Sequence, residues 1–181
     1  MNLWARILKW AGWETDITVP QQDKCVICVA PHTSNWDFIL GLAAYRSLGR
    51  KANFLMKEFW FFFPLNFILK SLGGIPVSRS GSGGILTNNI IRQFETRSYM
   101  NLAVTPEGTR SPREKWRTGF LYIAYGAKVP IQLGVIDYKR KKIMINDEYI
   151  PSGDIDIDLK EIKKYYSGRK DAARYPKNFI I

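Results

Sequence analysis

The sequence predicts a single α/β domain over residues 1–181, a mixed central sheet flanked by helices. Three observations carry that reading. The length, 181 residues, is that of one domain. Hydrophobic residues make up 46% and charged residues 24%, which is enough to bury a core and too apolar for a disordered chain. Finally, short β-rich apolar runs alternate with stretches of helical period, the pattern of a sheet layered with helices.

The elements follow in order. Residues 2–13 predict an amphipathic helix, because Leu3, Trp4, Ile7, Leu8 and Ala11 recur at helical spacing with Arg6 and Lys9 off that face. Trp4, Trp10 and Trp13 all fall here, so the helix suits either a membrane interface or the domain's own core. "CVICVA" at 25–30 reads as a central strand. A helix is expected over 35–48, capped by Ser34 or Asn35. Residues 52–57 read as a strand, and the aromatic run 58–70 as helical but broken near Pro64. A short strand over 73–79 leads to a flexible loop at 80–84 and a helix over 85–98. "NLAVTPEGTRS" at 101–111 is a strand followed by a Pro-Glu-Gly turn. A helix over 117–128 precedes two strands at 129–146 joined by a basic turn. A charged helix is expected over 156–166, while 167–181 carries little signal. No internal repeat or linker is visible.

The formal charge is +11, from 27 basic and 16 acidic residues spread over both halves of the chain. A basic surface suits nucleic acid, an anionic membrane or an acidic substrate. Nucleic acid is not expected as a partner. No recognised binding motif is present, and the aromatics cluster apolarly rather than between basic residues. Residues 1–13 lack the ordered regions of a signal peptide, and no stretch has the length of a spanning helix. The nearest, 59–69, is short and contains Pro64 and Asn66. Cys25 and Cys28 form a lone CxxC. Zinc would need two further ligands and a redox pair would need a helix N-terminus, so two buried thiols in a strand are expected, and no metal. Free thiols suit a reducing compartment.

Chemistry-bearing residues follow the ends of strands, where open α/β sheets bind ligands. They are the stretch His32 to Asp37, Arg79, and the stretch Glu107 to Arg110, with Pro130 opening a later strand. Convergence of these places would set a base and two arginines around one cleft. His32 is the chain's one histidine. A neutral imidazole takes a proton from a hydroxyl at pH 7, provided a partner orients its other nitrogen. Positions five apart on a helix point about 140° apart. Asp37 therefore reaches His32 only if His32 precedes the helix, where Pro31, Ser34 and Asn35 place it. Arg79 and Arg110 suit the planar recognition of phosphate. The run "SGSGG" fits neither phosphate-loop spacing.

Four blocks in order, "HTSNWD", "GGIPVSR", "PEGTRS" and "VPI", resemble those of the glycerolipid acyltransferases, the lysophospholipid and 1-acylglycerol-3-phosphate acyltransferases. They span about 30 to 131, and the closest likeness is to small bacterial members. The resemblance implies a glycerol-3-phosphate acyltransferase-like fold. It implies His32 as the general base, Asp37 as its partner, and Arg79 as the grip on the acceptor's phosphate or head group. Glu107, Gly108, Thr109 and Arg110 resemble the block that completes acceptor binding, and Val129 to Ile131 the block assigned to structure or to the acyl donor. The reaction implied is acyl transfer from acyl-CoA or acyl-carrier protein to a lysophospholipid hydroxyl, with no metal, no cofactor and no acyl-enzyme. Pro31 stands where the family often has asparagine. A lipid acceptor implies a cytoplasmic protein held peripherally on the inner face of the cytoplasmic membrane. Residues 59–69, flanked by Lys57 and Lys70, would then dock with the N-terminal helix. Two other readings stand beside it: a non-glycerol lipid acceptor (amino-acid-derived or glycan-linked), and a non-catalytic membrane-binding module.

Overall fold

The computed structural model describes residues 2–78 and 83–181. Among these, seven strands form one sheet in the order β1-β7-β6-β2-β5-β3-β4. The strands are β1 (Glu14–Ile17), β2 (Lys24–Val29), β3 (Asn53–Lys57), β4 (Gly74–Val77), β5 (Met100–Val104), β6 (Ile131–Asp137) and β7 (Lys142–Tyr149). The helices are α1 (Leu3–Trp10), α2 (Trp36–Ser47), α3 (Leu65–Ser71), α4 (Gly83–Thr96), α5 (Gly119–Gly126) and α6 (Ile155–Ser167). Five neighbouring strands, from β6 to β4, run parallel. The hairpin β6–β7 reverses direction and β1 lies parallel to β7, so the sheet is mixed.

β2 is sheltered on both faces, which is why its sequence is a continuous apolar run rather than an alternation. Val26 and Cys28 face a core built with Phe94, Phe120, Leu121 and Ile162 from α4, α5 and α6. Cys25 and Ile27 face the other layer, where Tyr45 of α2 packs. Both cysteines are free and buried, and burial pushes the Cys25 thiol up to about 12.

α1 divides its apolar residues. Leu8 packs with Leu40, Ala43 and Ala44 of α2, and Trp4 packs beside them. Leu3, Ile7 and Trp10 are left exposed, Trp10 at 90%. The aromatic run breaks where proline was expected to break it. A single 3-10 turn, Glu58–Trp60, follows β3, and α3 starts only after Pro64. Two elements carry no sequence expectation. β1 is four residues with only one apolar member, held by pairing with β7. The tail folds into two 3-10 turns, Lys170–Ala172 and Pro176–Asn178, and buries Phe179 against Trp116.

Parallel register positions the site. Cys28 pairs with Val104 and Val29 with Gly134, so β2, β5 and β6 finish at the same end of the sheet. The segments leaving those strands emerge side by side. Pro130 does not join them. It lies at the start of β6, where its carbonyl accepts from the Val26 amide, and so sits at the opposite end of the sheet. Val129 and Ile131 are buried there as core.

Candidate active site

His32 lies between β2 and α2, on the irregular segment expected of it. Its Nδ1 is 3.0 Å from Asp37 Oδ2 in the first turn of α2. A carboxylate only accepts, so this contact requires the proton on Nδ1 and leaves the lone pair on Nε2. The His32 side chain is 15% exposed and that of Asp37 2%. The histidine is reachable from solvent, and its partner is not.

The loop is shaped to hold Asp37. Its Oδ2 also accepts from the backbone N–H groups of Thr33, at 2.9 Å, and Ser34, at 3.0 Å. Its Oδ1 accepts from the Tyr138 hydroxyl at 2.6 Å. Burial, then the contact with Asp37, raises the Tyr138 pKa well above its ordinary value, so the phenol keeps the proton it donates. The expected cap at 34–35 is shared. Ser34 Oγ accepts from the Trp36 amide, whereas Asn35 makes no capping bond and its side chain accepts from Arg110.

Glu107 follows β5 and is buried. Its carboxyl accepts from the His32 backbone N–H, at 2.9 Å to one oxygen and 3.2 Å to the other. Burial pushes its pKa up to about 8, against the lowering effect of that hydrogen bond. Glu107 thus ties the "PEGTRS" turn to the histidine loop from beneath. Gly108 adopts a φ of +64°, a left-handed conformation that side chains disfavour, and turns the chain so that Arg110 emerges exposed. Thr109 Oγ1 accepts from the Ser111 amide. Arg79 lies outside the described residues, as do residues 80–82 of the expected glycine loop. The structure therefore brings His32, Asp37, Glu107 and Arg110 to one end of the sheet.

Three supports have no counterpart in the sequence reading. Tyr138 is one. The tail supplies the others: the Tyr175 amide donates to Thr33 Oγ1 at 3.2 Å, and Asn178 Nδ2 donates to the Arg110 carbonyl at 3.1 Å. The pattern of polar residues just past strand ends extends to Tyr138, which directly follows β6. The tail offers no such local signal.

Fold and site together define the class: an α/β protein with a histidine–carboxylate pair at the carboxyl ends of parallel strands. The family follows from the sequence match. The family model Acyltransferase matches residues 15–135, more than half the chain. The chain belongs to the acyltransferase family and is an acyltransferase, in agreement with its block-by-block resemblance. The fold is similar to the crystal structure of the 1-acyl-sn-glycerophosphate (LPA) acyltransferase PlsC from Thermotoga maritima, with a TM-score of 0.60 and 19% identity, covering 95% of this chain and 78% of that one. No curated protein matches the sequence.

Proposed function

We propose that the protein transfers a fatty acyl group from an acyl thioester to the hydroxyl of a lysophospholipid such as 1-acylglycerol-3-phosphate. The observation that carries this reading is the His32 Nδ1 to Asp37 Oδ2 contact of 3.0 Å, made by a buried carboxylate that three further donors hold in place. Such a pair presents Nε2 as a base and stabilises the imidazolium that forms.

The acceptor's hydroxyl gives its proton to Nε2 as its oxygen attacks the thioester carbonyl. The tetrahedral intermediate collapses, the carbon–sulfur bond breaks, and the imidazolium returns the proton to the departing sulfur. A thioester is already activated, so the reaction needs no serine, metal or cofactor. Arg110 is exposed beside the histidine loop and suits the acceptor's phosphate, with Arg79 assigned the same role by resemblance. Glu107, Gly108 and Thr109 shape the turn that presents Arg110.

The acceptor resides in a membrane, and the catalytic end of the molecule is apolar enough to rest on one. Phe59, Trp60, Phe62 and Phe63 follow the carboxyl end of β3 and are exposed, Phe63 at 80%. Trp36 and Ile39 on the first turns of α2 are exposed as well. Among the described residues no helix is long and apolar enough to cross a membrane. A peripheral position on the inner face of the cytoplasmic membrane fits this surface.

The test is thiol release from acyl-CoA or acyl-carrier protein with a panel of lysolipids, comparing wild type with His32→Ala and identifying products by mass spectrometry. Acceptor-dependent release that disappears in the variant is expected. Equal release by both proteins would remove His32 as the base. Acylation of an amino-acid-derived or glycan-linked lipid alone would move the acceptor to that class.

A further inference from the structure

We propose that the groove between the β6–β7 turn and the C-terminal tail binds the phosphate of the acyl donor's phosphopantetheine arm. The proposal rests on the acyl-thioester reading above. The groove, of about 470 Å³, is lined by Tyr138, Lys139, Asp171, Ala173, Arg174 and Pro176. The Tyr138 amide donates to the Ala172 carbonyl at 2.9 Å, which fastens the turn to the tail and forms the groove.

Its place on the sheet is the first argument. β2 has β5 on one side and β6 on the other. The acceptor-binding arginine of the described residues, Arg110, lies on the β5 side of His32. The groove lies on the β6 side. Two substrates must meet at His32 from different directions, and the side left free by the acceptor is this one. The pantetheine arm is long and holds its phosphate far from the thioester. The groove is joined to His32 through Tyr138 and Asp37, which hydrogen-bond in series, so a phosphate subsite there is set back from the histidine rather than beside it.

Charge is the second argument. Lys139 and Arg174 are exposed, and among the described residues neither makes an ion pair. Arg174 lies 5.7 Å from the ring centroids of both Tyr138 and Tyr175, which hold its guanidinium over the groove without neutralising it. Lys170 and Lys177 are exposed on the same tail, against the single groove acid, Asp171. A guanidinium steadied by neighbouring rings and left without an acid keeps its forked donors for a phosphate. Tyr138 is shared by groove and site, because it lines the groove and its hydroxyl holds Asp37.

The experiment titrates the full chain with 4′-phosphopantetheine and with pantetheine, followed by solution NMR. Phosphopantetheine is expected to bind about tenfold more tightly or better, as a charge-assisted contact gives. The Arg174→Gln and Lys139→Gln double variant, altered only at exposed positions, is expected to lose that preference. Equal binding of both compounds by wild type, or a preference surviving in the double variant, overturns the proposal. In turnover the double variant should raise KM for acyl-CoA and for acyl-carrier protein alike and leave the acceptor's KM unchanged. A rise confined to acyl-CoA would place the contact on its nucleotide and overturn the proposal. The binding measurement needs no turnover. A protein that prefers phosphopantetheine yet transfers no acyl group would retain the groove and lose the proposed reaction.

Discussion

Asp37 concentrates four donors on two oxygens: the His32 ring, two backbone amides and a phenol. An amide has only one oxygen, so Asp37→Asn must turn an NH2 group toward a donor. The expected result is a fall in kcat of at least about 10²-fold, since the wrong imidazole tautomer is then favoured, with a lowered melting temperature besides. A variant with unchanged kcat would show that Asp37 orients nothing. His32→Ala should lose about 10²–10⁴-fold, the usual worth of a general base. Glu107 makes a different prediction, one of stability against pH. Its carboxyl is raised by burial from an ordinary value of 4.5 to about 8. The folded state therefore holds a proton that the unfolded chain releases, and stability should fall as pH rises from about 4.5 toward 8. Glu107→Gln imitates the protonated acid and should flatten this slope. Melting temperatures measured across that range would check it, and parallel curves for the two proteins would show Glu107 ionised in the fold.

At the scale of elements, tight packing decides where substitution is possible. Gly73 enters β4 at a φ of +103°, and a Cβ there would stand 2.2 Å from the Ala52 carbonyl oxygen, which is backbone and cannot turn aside. Gly73→Ala should cost on the order of 3 kcal/mol or more, from overpacking and backbone strain together. Denaturant unfolding measures it, and a cost within the error of that method would mean that β3 and β4 shift apart easily. The aromatic segment running from β3 into α3 behaves in the opposite way. Phe63 and Phe67 meet edge to face at 6.2 Å between centroids, but both are exposed, so they contribute little to the fold. Phe63→Ser with Phe67→Ser should leave stability unchanged. Partition to anionic liposomes should fall by about 10²- to 10⁴-fold, given roughly 1.5–3 kcal/mol for each buried phenylalanine. Cosedimentation unchanged by the pair would separate this surface from the membrane.

Across the whole molecule, the tail links distant parts. Phe179 is buried beside Trp116, Tyr175 and Asn178 bind the two motif loops, and Ala172 binds the turn after β6. Phe179→Ala should destabilise by about 3–5 kcal/mol, the usual cost of emptying a buried phenylalanine site. It should also lower kcat in the protein that remains folded, because the loops carrying His32 and Arg110 lose a common anchor. Activity that follows the folded fraction alone would make the tail structural only. The net charge of +11 acts at this scale too, drawing the whole domain toward an anionic surface in a way that rising salt should weaken.

The sequence by itself determined the α/β class, most of the elements, the burial of both cysteines and the position of His32 ahead of its helix. Each of these depends on neighbours a few residues apart: apolar period, proline, glycine and capping residues. Its block order also identified the family. Tertiary structure alone decided what those local features meet. β1 is nearly all polar and exists only because β7 offers it a parallel edge more than a hundred residues away. Tyr138 reaches Asp37, and Glu107 reaches the His32 amide, because parallel register ends β2, β5 and β6 together. The same register sends Pro130 to the far end, although its block stands in sequence like the others. Chain order names the residues that follow strands. Strand direction, which is settled by long-range hydrogen bonding, decides which of them share a site.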